Sequence, residues 1–264
     1  MAAASAAPVI YFSLHAEQHV VLAHLAAGER CVFVRDGWIV FAHGERQDEV
    51  VELERVAFTY GGTIQFQVQN ALAAAAAAWG AGLNPAIIAR ALTTFATDPQ
   101  LVPGRFNVLE YHGIQVIMDY GHNQAALAAL AQAAGALGQR YTVLALGLPG
   151  DRRDDDLRAT IAQTSAFADE YILYDLRDRR GRRPGEVPEL LRAVLPPDRP
   201  CSLAVDQADA LRRAWSRVPP GGRLVLIIDE VDEALELVDD LKEQDTLHAC
   251  EMPARLPYVD RGTV

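Results

Sequence analysis

Residues 115–150 read Gln115-Val-Ile-Met-Asp119-Tyr-Gly-His122-Asn-Gln-Ala-Ala-Leu-Ala-Ala-Leu-Ala-Gln-Ala-Ala-Gly-Ala-Leu-Gly-Gln-Arg-Tyr-Thr-Val-Leu-Ala-Leu-Gly-Leu-Pro-Gly150, and this stretch decides the fold. An apolar run to Asp119 predicts a strand, Gly121 to Asn123 a turn, 124–137 an alanine-rich helix, and 141–147 a second strand. Working outward, a strand at 106–110 precedes it. Helices at 154–167, 186–194, 206–216 and 232–242 alternate with strands at 171–174, 202–205 and 224–228. That β-α-β-α order predicts an α/β domain whose mostly parallel sheet is covered by helices.

The first hundred residues have a different texture. Val9-Ile-Tyr-Phe-Ser13 is strand-like, residues 15–27 read as a helix, and 31–42 form two apolar runs around Asp36-Gly37, a strong hairpin signal. Residues 66–79 and 85–96 predict a helical hairpin packed on these strands, the second helix opening at Asn84-Pro85. The connection Asp98-Pro-Gln-Leu-Val-Pro-Gly104 carries the breakers expected at a domain boundary. The expected division is therefore 1–103 and 104–264, with a polar tail from about 244. No internal repeat is present.

Composition narrows the function. Half of the 264 residues are hydrophobic and 22% are charged, which excludes wholesale disorder. Lys plus Arg number 24 against 35 acidic residues, a net charge of -11, so nucleic acid and anionic membrane are not expected partners. Cys31, Cys201 and Cys250 are scattered, fitting neither a disulfide framework nor a zinc site, and a reduced, cytoplasmic setting is expected. Met1 to Pro8 lacks the charged and apolar regions of a secretory signal, and the longest apolar run, 71–83, is too short to span a bilayer. Lys242 is the only lysine, so any chemistry needing one has a single candidate.

In an open parallel sheet, ligands sit beyond the carboxyl ends of the strands, which gives weight to polar residues just after strands. Asp119 and His122 occupy the first such place. Asp119 can accept from ribose hydroxyls and His122 can face phosphate oxygens, or Asp119 and Asn123 simply cap the following helix. The second place is Gly147-Leu-Pro-Gly150-Asp151-Arg-Arg-Asp-Asp-Asp156, where clustered carboxylates suit a cation; Asp154 to Asp156 equally suit the helix dipole with no ligand. The third is Arg177-Asp-Arg-Arg-Gly-Arg-Arg183, whose arginines suit a carboxylate or phosphate, or form a solvated loop. Arg105, at the domain junction, suits a cleft ligand or a hinge salt bridge. His15 and His19 would share a helical face, without a third ligand near them. Asp229 to Glu233 read as a helix cap and first turn.

Five motifs in order, Gln69-Asn70-Ala-Leu-Ala-Ala, Pro103-Gly-Arg-Phe-Asn107, Asp119-Tyr-Gly-His-Asn123, Gly150-Asp-Arg-Arg-Asp154 and Arg180-Gly-Arg182, resemble the Mur ligase superfamily. Within it they look most like the Mur-ligase-like half of the cyanophycin synthetases. The resemblance spans residues 11 to 228 and implies the latter part of the family's central ATPase domain followed by its whole Rossmann-like carboxy-terminal domain. Such ligases use ATP and Mg²⁺ to turn a carboxylate into an acyl phosphate, which an amine attacks to give an amide. By resemblance, Asn70 would contact adenine, and Arg105 and Asp119 would hold phosphates and ribose from the far side of the cleft. His122 would lie beside them as the catalytic and cofactor-binding imidazole. Asp151, Arg180 and Arg182 would form the pocket for an amino-acid or polypeptide substrate. No residue is assigned to metal.

The departures matter as much. The family's phosphate loop, G-T-[NT]-G-K-[ST], does not occur in these 264 residues, and Lys242 has no glycine loop before it. The resemblance therefore implies a carboxy-terminal portion of an amide-forming ligase, inactive alone, either a split subunit with a partner chain supplying the phosphate loop or a piece of a longer product. The alternative is a non-catalytic nucleotide- or amino-acid-binding or oligomerisation module derived from such a ligase. A parent sheet continued in part would also leave an unpaired strand edge that favours a homo-oligomer.

Overall fold

The computed structural model describes residues 5–251, with side chains described up to 244. Chain contacts divide it into two compact units. The first comprises residues up to 102 together with 123–139 and 159–167, and the second comprises the remainder.

The first unit holds a four-stranded sheet of β1 (Ile10–Ser13), β2 (Arg30–Arg35), β3 (Trp38–His43) and β4 (Arg46–Glu52) in that order. β1 runs parallel to β2, and the remaining pairs are antiparallel. The β2–β3 hairpin turns at Asp36 and Gly37, both in the left-handed region at φ 48° and 80°, as a tight primed turn requires. Helix α2 (Gln65–Gly80) buries Val68, Ala71, Leu72, Ala75 and Ala76 against Val32, Ile39 and Phe41, its alanines allowing close approach to the sheet. Helix α3 (Pro85–Thr94) starts where the Asn84 side chain accepts from the Ala86 N–H, with Pro85 at its first position. The expected hairpin of helices is thus present. Helix α1 (His19–Ala26) is shorter than expected, so His15 lies outside it and shares no helical face with His19. His24 of α1 hydrogen-bonds the Val9 carbonyl through Nε2 at 3.0 Å, and no metal-holding group of three His, Cys, Asp or Glu exists among the described residues. Helix α4 (Gln124–Ala136), capped by the Asn123 side chain on the Ala126 N–H, is grouped with this unit.

The second unit holds a six-stranded sheet: β5 (Asn107–Tyr111), β6 (Ile114–Asp119), β10 (Arg223–Ile227), β7 (Thr142–Leu146), β8 (Glu170–Tyr174) and β9 (Cys201–Ala204), in spatial order. Only the edge strand β5 is antiparallel; every other pair is parallel, as the β-α alternation predicts. The central strands β7 and β10 are buried at every position, which is why both read as unbroken apolar runs. Helix α5 (Asp154–Ala162) follows β7, and α6 (Glu186–Arg192) follows β8. Helices α7 (Gln207–Arg217) and α8 (Val231–Glu251) cover one face of the sheet. Leu211, Ala214, Trp215, Ala234 and Val238 there meet Val116, Val143, Ile172 and Leu224. Each fully buried Leu, Ile or Val in that layer contributes about 1.5–3 kcal/mol. The polar tail expected from 244 begins as helix, because α8 continues to Glu251. Residues 252–264, and the opening residues 1–4 within the stretch read as no secretory signal, lie outside the described residues. No helix among the described residues is long and apolar enough to cross a membrane.

Because β6, β7, β8 and β10 are mutually parallel, the segments that leave them, at 119–123, 147–153, 175–185 and 228–230, gather at one end of the sheet.

Candidate functional site

Asp119 ends β6 and organises that edge of the site. Its Oδ1 accepts from the Gly121 N–H at 2.7 Å and its Oδ2 from the Phe106 N–H at 3.0 Å, while the Asp119 carbonyl accepts from Ile228 N. The carboxylate therefore ties the 104–106 loop to the strand end and does not cap α4, a role that Asn123 takes. Burial pushes the Asp119 carboxyl above the usual range, opposed by those two N–H bonds and by the nearby Arg105 charge. Gly104 has φ 67° and is buried, and a Cβ there would come within 3.2 Å of Val231, so the loop needs glycine at this point. Arg105 is thereby held out in solvent, its guanidinium 5.5 Å from the Tyr120 ring centroid, and it makes no ion pair among the described residues.

His122 stands next to this loop, edge-on to Tyr120 with ring centroids 4.6 Å apart. Its Nε2 is buried without a hydrogen-bond partner. Burial lowers its pKa, Asp229 opposes that shift and Arg180 adds to it, so the imidazole favours the neutral form. An open nitrogen on a neutral imidazole can accept a proton or a hydrogen bond from a ligand.

The loops after β7 and β8 interlock. Gly150 packs so closely that a Cβ would lie 2.3 Å from the Arg179 carbonyl oxygen and 2.7 Å from Arg182 Cγ. Arg182 donates to the Gly150 carbonyl at 2.9 Å, to the Arg152 carbonyl at 2.8 Å and to Glu186 at 2.9 Å, and pairs with Asp154 at 2.8 Å. Arg180, at φ 48° in the turn before Gly181, pairs with Asp151 at 2.9 Å, which holds the Asp151 carboxyl below its usual range. Arg158 pairs with Asp154 and Asp155, and Arg153 with Asp156. The carboxylates at this helix start are thus largely answered by the chain's own arginines.

Of the residues singled out from sequence, Arg105, Asp119, His122, Asp151, Arg180 and Arg182 all fall at the strand ends of the second unit. Asn70 lies on α2 in the first unit, exposed, donating to Gln67 at 3.0 Å. Asp229 was read as part of a helix cap. It lies two residues beyond the end of β10 and two before the start of α8, and acts electrostatically on His122 and Arg180. The signal was available, since Asp229 obeys the same after-the-strand rule as Asp119. Beside it lies a cavity of about 240 Å³ whose lining includes Asp175, Asp206, Asp229, Glu230 and Glu233, with Arg177 and Arg179. Arg177 pairs with Glu230 and Glu233, whereas Arg179 makes no ion pair among the described residues.

Residues 104–228, which carry this sheet and its crowded strand ends, match the family described as Mur ligase, glutamate ligase domain, and this segment belongs to that family. Among curated relatives, it is 31% identical over 236 residues to a cyanophycin synthetase of Synechocystis sp., covering 88% of this chain and 27% of that protein. It is 26% identical over 227 residues to the UDP-N-acetylmuramoyl-L-alanyl-D-glutamate–2,6-diaminopimelate ligase of Geobacillus kaustophilus, covering 78% of this chain and 45% of that enzyme. The chain thus spans about a quarter of the length of the cyanophycin synthetases it matches. In fold it is similar to E. coli FolC in complex with DHPP and ADP, with a TM-score of 0.60 and 22% identity over 88% of this chain and 53% of FolC.

Proposed function

We propose that this chain is the carboxy-terminal portion of a cyanophycin-synthetase-like, ATP-dependent carboxylate–amine ligase, and that it does not turn over ATP by itself. The observation that carries the reading is Arg105, a guanidinium with no ion pair among the described residues on a chain of net charge -11, its loop fixed at a strand end by the Asp119 bond to the Phe106 N–H. Such a cation held in place suits the phosphates of a nucleotide. The similarity to cyanophycin synthetases over most of the chain supports the same assignment.

The residues present fit the phosphate end of ATP: Arg105 has its donors available and the buried His122 Nε2 lacks a partner. When bound, ATP supplies the phosphoryl group that activates the carboxylate. Arg105 would bind phosphate, and Asp119 would orient the Arg105 loop on the ribose side. His122, neutral and with its Nε2 lacking a partner, would accept a proton from the substrate ammonium group and so free the amine to attack. Asp151, Arg180 and Arg182 shape the amino-acid pocket, and the acidic cavity by Asp229 and Glu230 suits a cationic substrate end. No group of three ligating side chains exists among the described residues, so Mg²⁺ would be held chiefly by the nucleotide's phosphates and water. The phosphate loop is contributed by chain outside these 264 residues, on the same or a partner polypeptide.

One observation favours the second reading, a non-catalytic binding or oligomerisation module: Asp151, Arg180 and Arg182 satisfy one another and their own loops. Steady-state phosphate release separates the two. The purified chain should hydrolyse no ATP above background, and the addition of a polypeptide carrying a G-K-[ST] loop should start turnover on the ligase reading only. Turnover by the chain alone, abolished in Asp119→Ala, would contradict the proposal.

A further inference from the structure

Gln207 opens helix α7 and is buried, with 5% of its surface exposed, yet its amide is turned away from its own helix. Its Oε1 accepts from the Asp229 N–H at 2.7 Å and from the Glu230 N–H at 3.2 Å. Its Nε2 donates to the Glu230 carbonyl at 2.9 Å and to Glu233 Oε2 at 3.2 Å. The Tyr174 hydroxyl, fully buried at the end of β8, donates to the Ile227 carbonyl at 2.6 Å and lies 3.5 Å from Gln207 Oε1. One side chain from α7 thus satisfies both faces of the turn between β10 and α8. A backbone turn whose N–H and C=O groups are met by a single buried amide has one arrangement, because any other leaves them unpaired.

We infer that Gln207 is a positioning residue of the strand-end site: by clamping the 229–230 turn, whose neighbouring Ile228 N–H donates to the Asp119 carbonyl at 2.9 Å, it fixes the Asp229 side of the loop end that carries His122. The inference rests on the reading of that site as the working centre. The groups that act on His122 are Asp229 from the clamped turn and Arg180 from the loop after β8, with Tyr120 against its ring. Asp229 stabilises the imidazolium and Arg180 opposes it, so releasing the turn removes the only stabilising charge of the two.

The test is a histidine NMR titration of the full chain without nucleotide, using wild type, Gln207→Leu, Gln207→Asn and Asp229→Asn. Asparagine keeps the amide but shortens the arm by one methylene, so it serves even where leucine impairs folding. His24, in the other unit, provides the internal reference. Both Gln207 variants should lower the His122 midpoint in the direction of Asp229→Asn, by at least half of that variant's shift, with His24 unmoved. A His122 midpoint that stays at the wild-type value, or rises as a merely loosened ring would, overturns the inference. The readout involves neither ATP nor turnover, so its failure is distinct from failure of the ligase reading.

Discussion

The contact between the loops after β7 and β8 predicts that Gly150→Ala destabilises the protein strongly although Gly150 carries no side chain. An added Cβ would sit 2.3 Å from the Arg179 carbonyl oxygen and 2.7 Å from Arg182 Cγ. Neither neighbour is free to give way. The Arg179 carbonyl accepts from the Arg182 N–H at 3.0 Å, closing the turn at Arg180 and Gly181, and the Arg182 guanidinium is bonded to the Gly150 and Arg152 carbonyls of the loop after β7. Backbone must shift, and overpacking of a fixed contact costs about 1–3 kcal/mol, here placed at the upper end because the clash is with backbone. For a chain of this size each kcal/mol moves the melting midpoint by about 2–4 °C, so a fall of roughly 6–12 °C is expected. Gly135→Ala is the matched control. That glycine lies near the end of α4, has an ordinary φ and open space around its Cβ, so alanine should raise stability by up to about 1 kcal/mol. Thermal unfolding followed by circular dichroism measures both. A Gly150→Ala midpoint equal to wild type, with Gly135→Ala behaving as stated, would refute the interlocked-loop geometry.

Two pH dependences follow from the charges. His122 has a folded pKa below its unfolded value of 6.5, so its contribution is complete above pH 6.5 and is lost as pH falls through the folded value. His122→Gln should flatten stability against pH in that window, as measured by urea midpoints; an unchanged slope would contradict the burial argument. Glu186, bonded to Arg182 and to the Arg183 N–H, is held down at about 2 against 4.5 in the unfolded chain. Its contribution is present above pH 4.5 and is lost as pH falls towards 2. Glu186→Gln should therefore lower the melting midpoint at pH 7 and converge with wild type near pH 2; a constant gap across that range would oppose it.

Much of the fold was legible because local and global signals agree. The unbroken apolar runs of β7 and β10, the Asp36-Gly37 turn and the Asn84-Pro85 helix start each have one structural meaning, and the structure realises it. Strand β4 is not marked in the sequence, since Arg46-Gln-Asp-Glu49 is polar and becomes strand only by pairing with β3. The length of α1 was overread for the opposite reason: residues 15–18 are compatible with helix, but the Ser13 hydroxyl bonds to His15 and holds a turn. At the site, sequence placed the polar residues at strand ends but could not distribute their partners. Asp119 was weighed as a cap or a ribose acceptor, and it serves two main-chain N–H groups from separate loops, one of them 13 residues away. Gln207 stayed unread because its meaning lies in a contact across 22 residues, which no local spacing encodes.

The most direct test of the account is isothermal titration of the purified chain with Mg-ADP, Mg-ATP and arginine, repeated with Arg105→Ala and Asp119→Ala. The account predicts nucleotide binding by the wild-type chain that both variants lose, Arg105→Ala by removing the cation and Asp119→Ala by releasing the loop that holds it. Absence of nucleotide binding by the well-folded wild-type chain, or binding that survives in both variants, would contradict a nucleotide site at these strand ends.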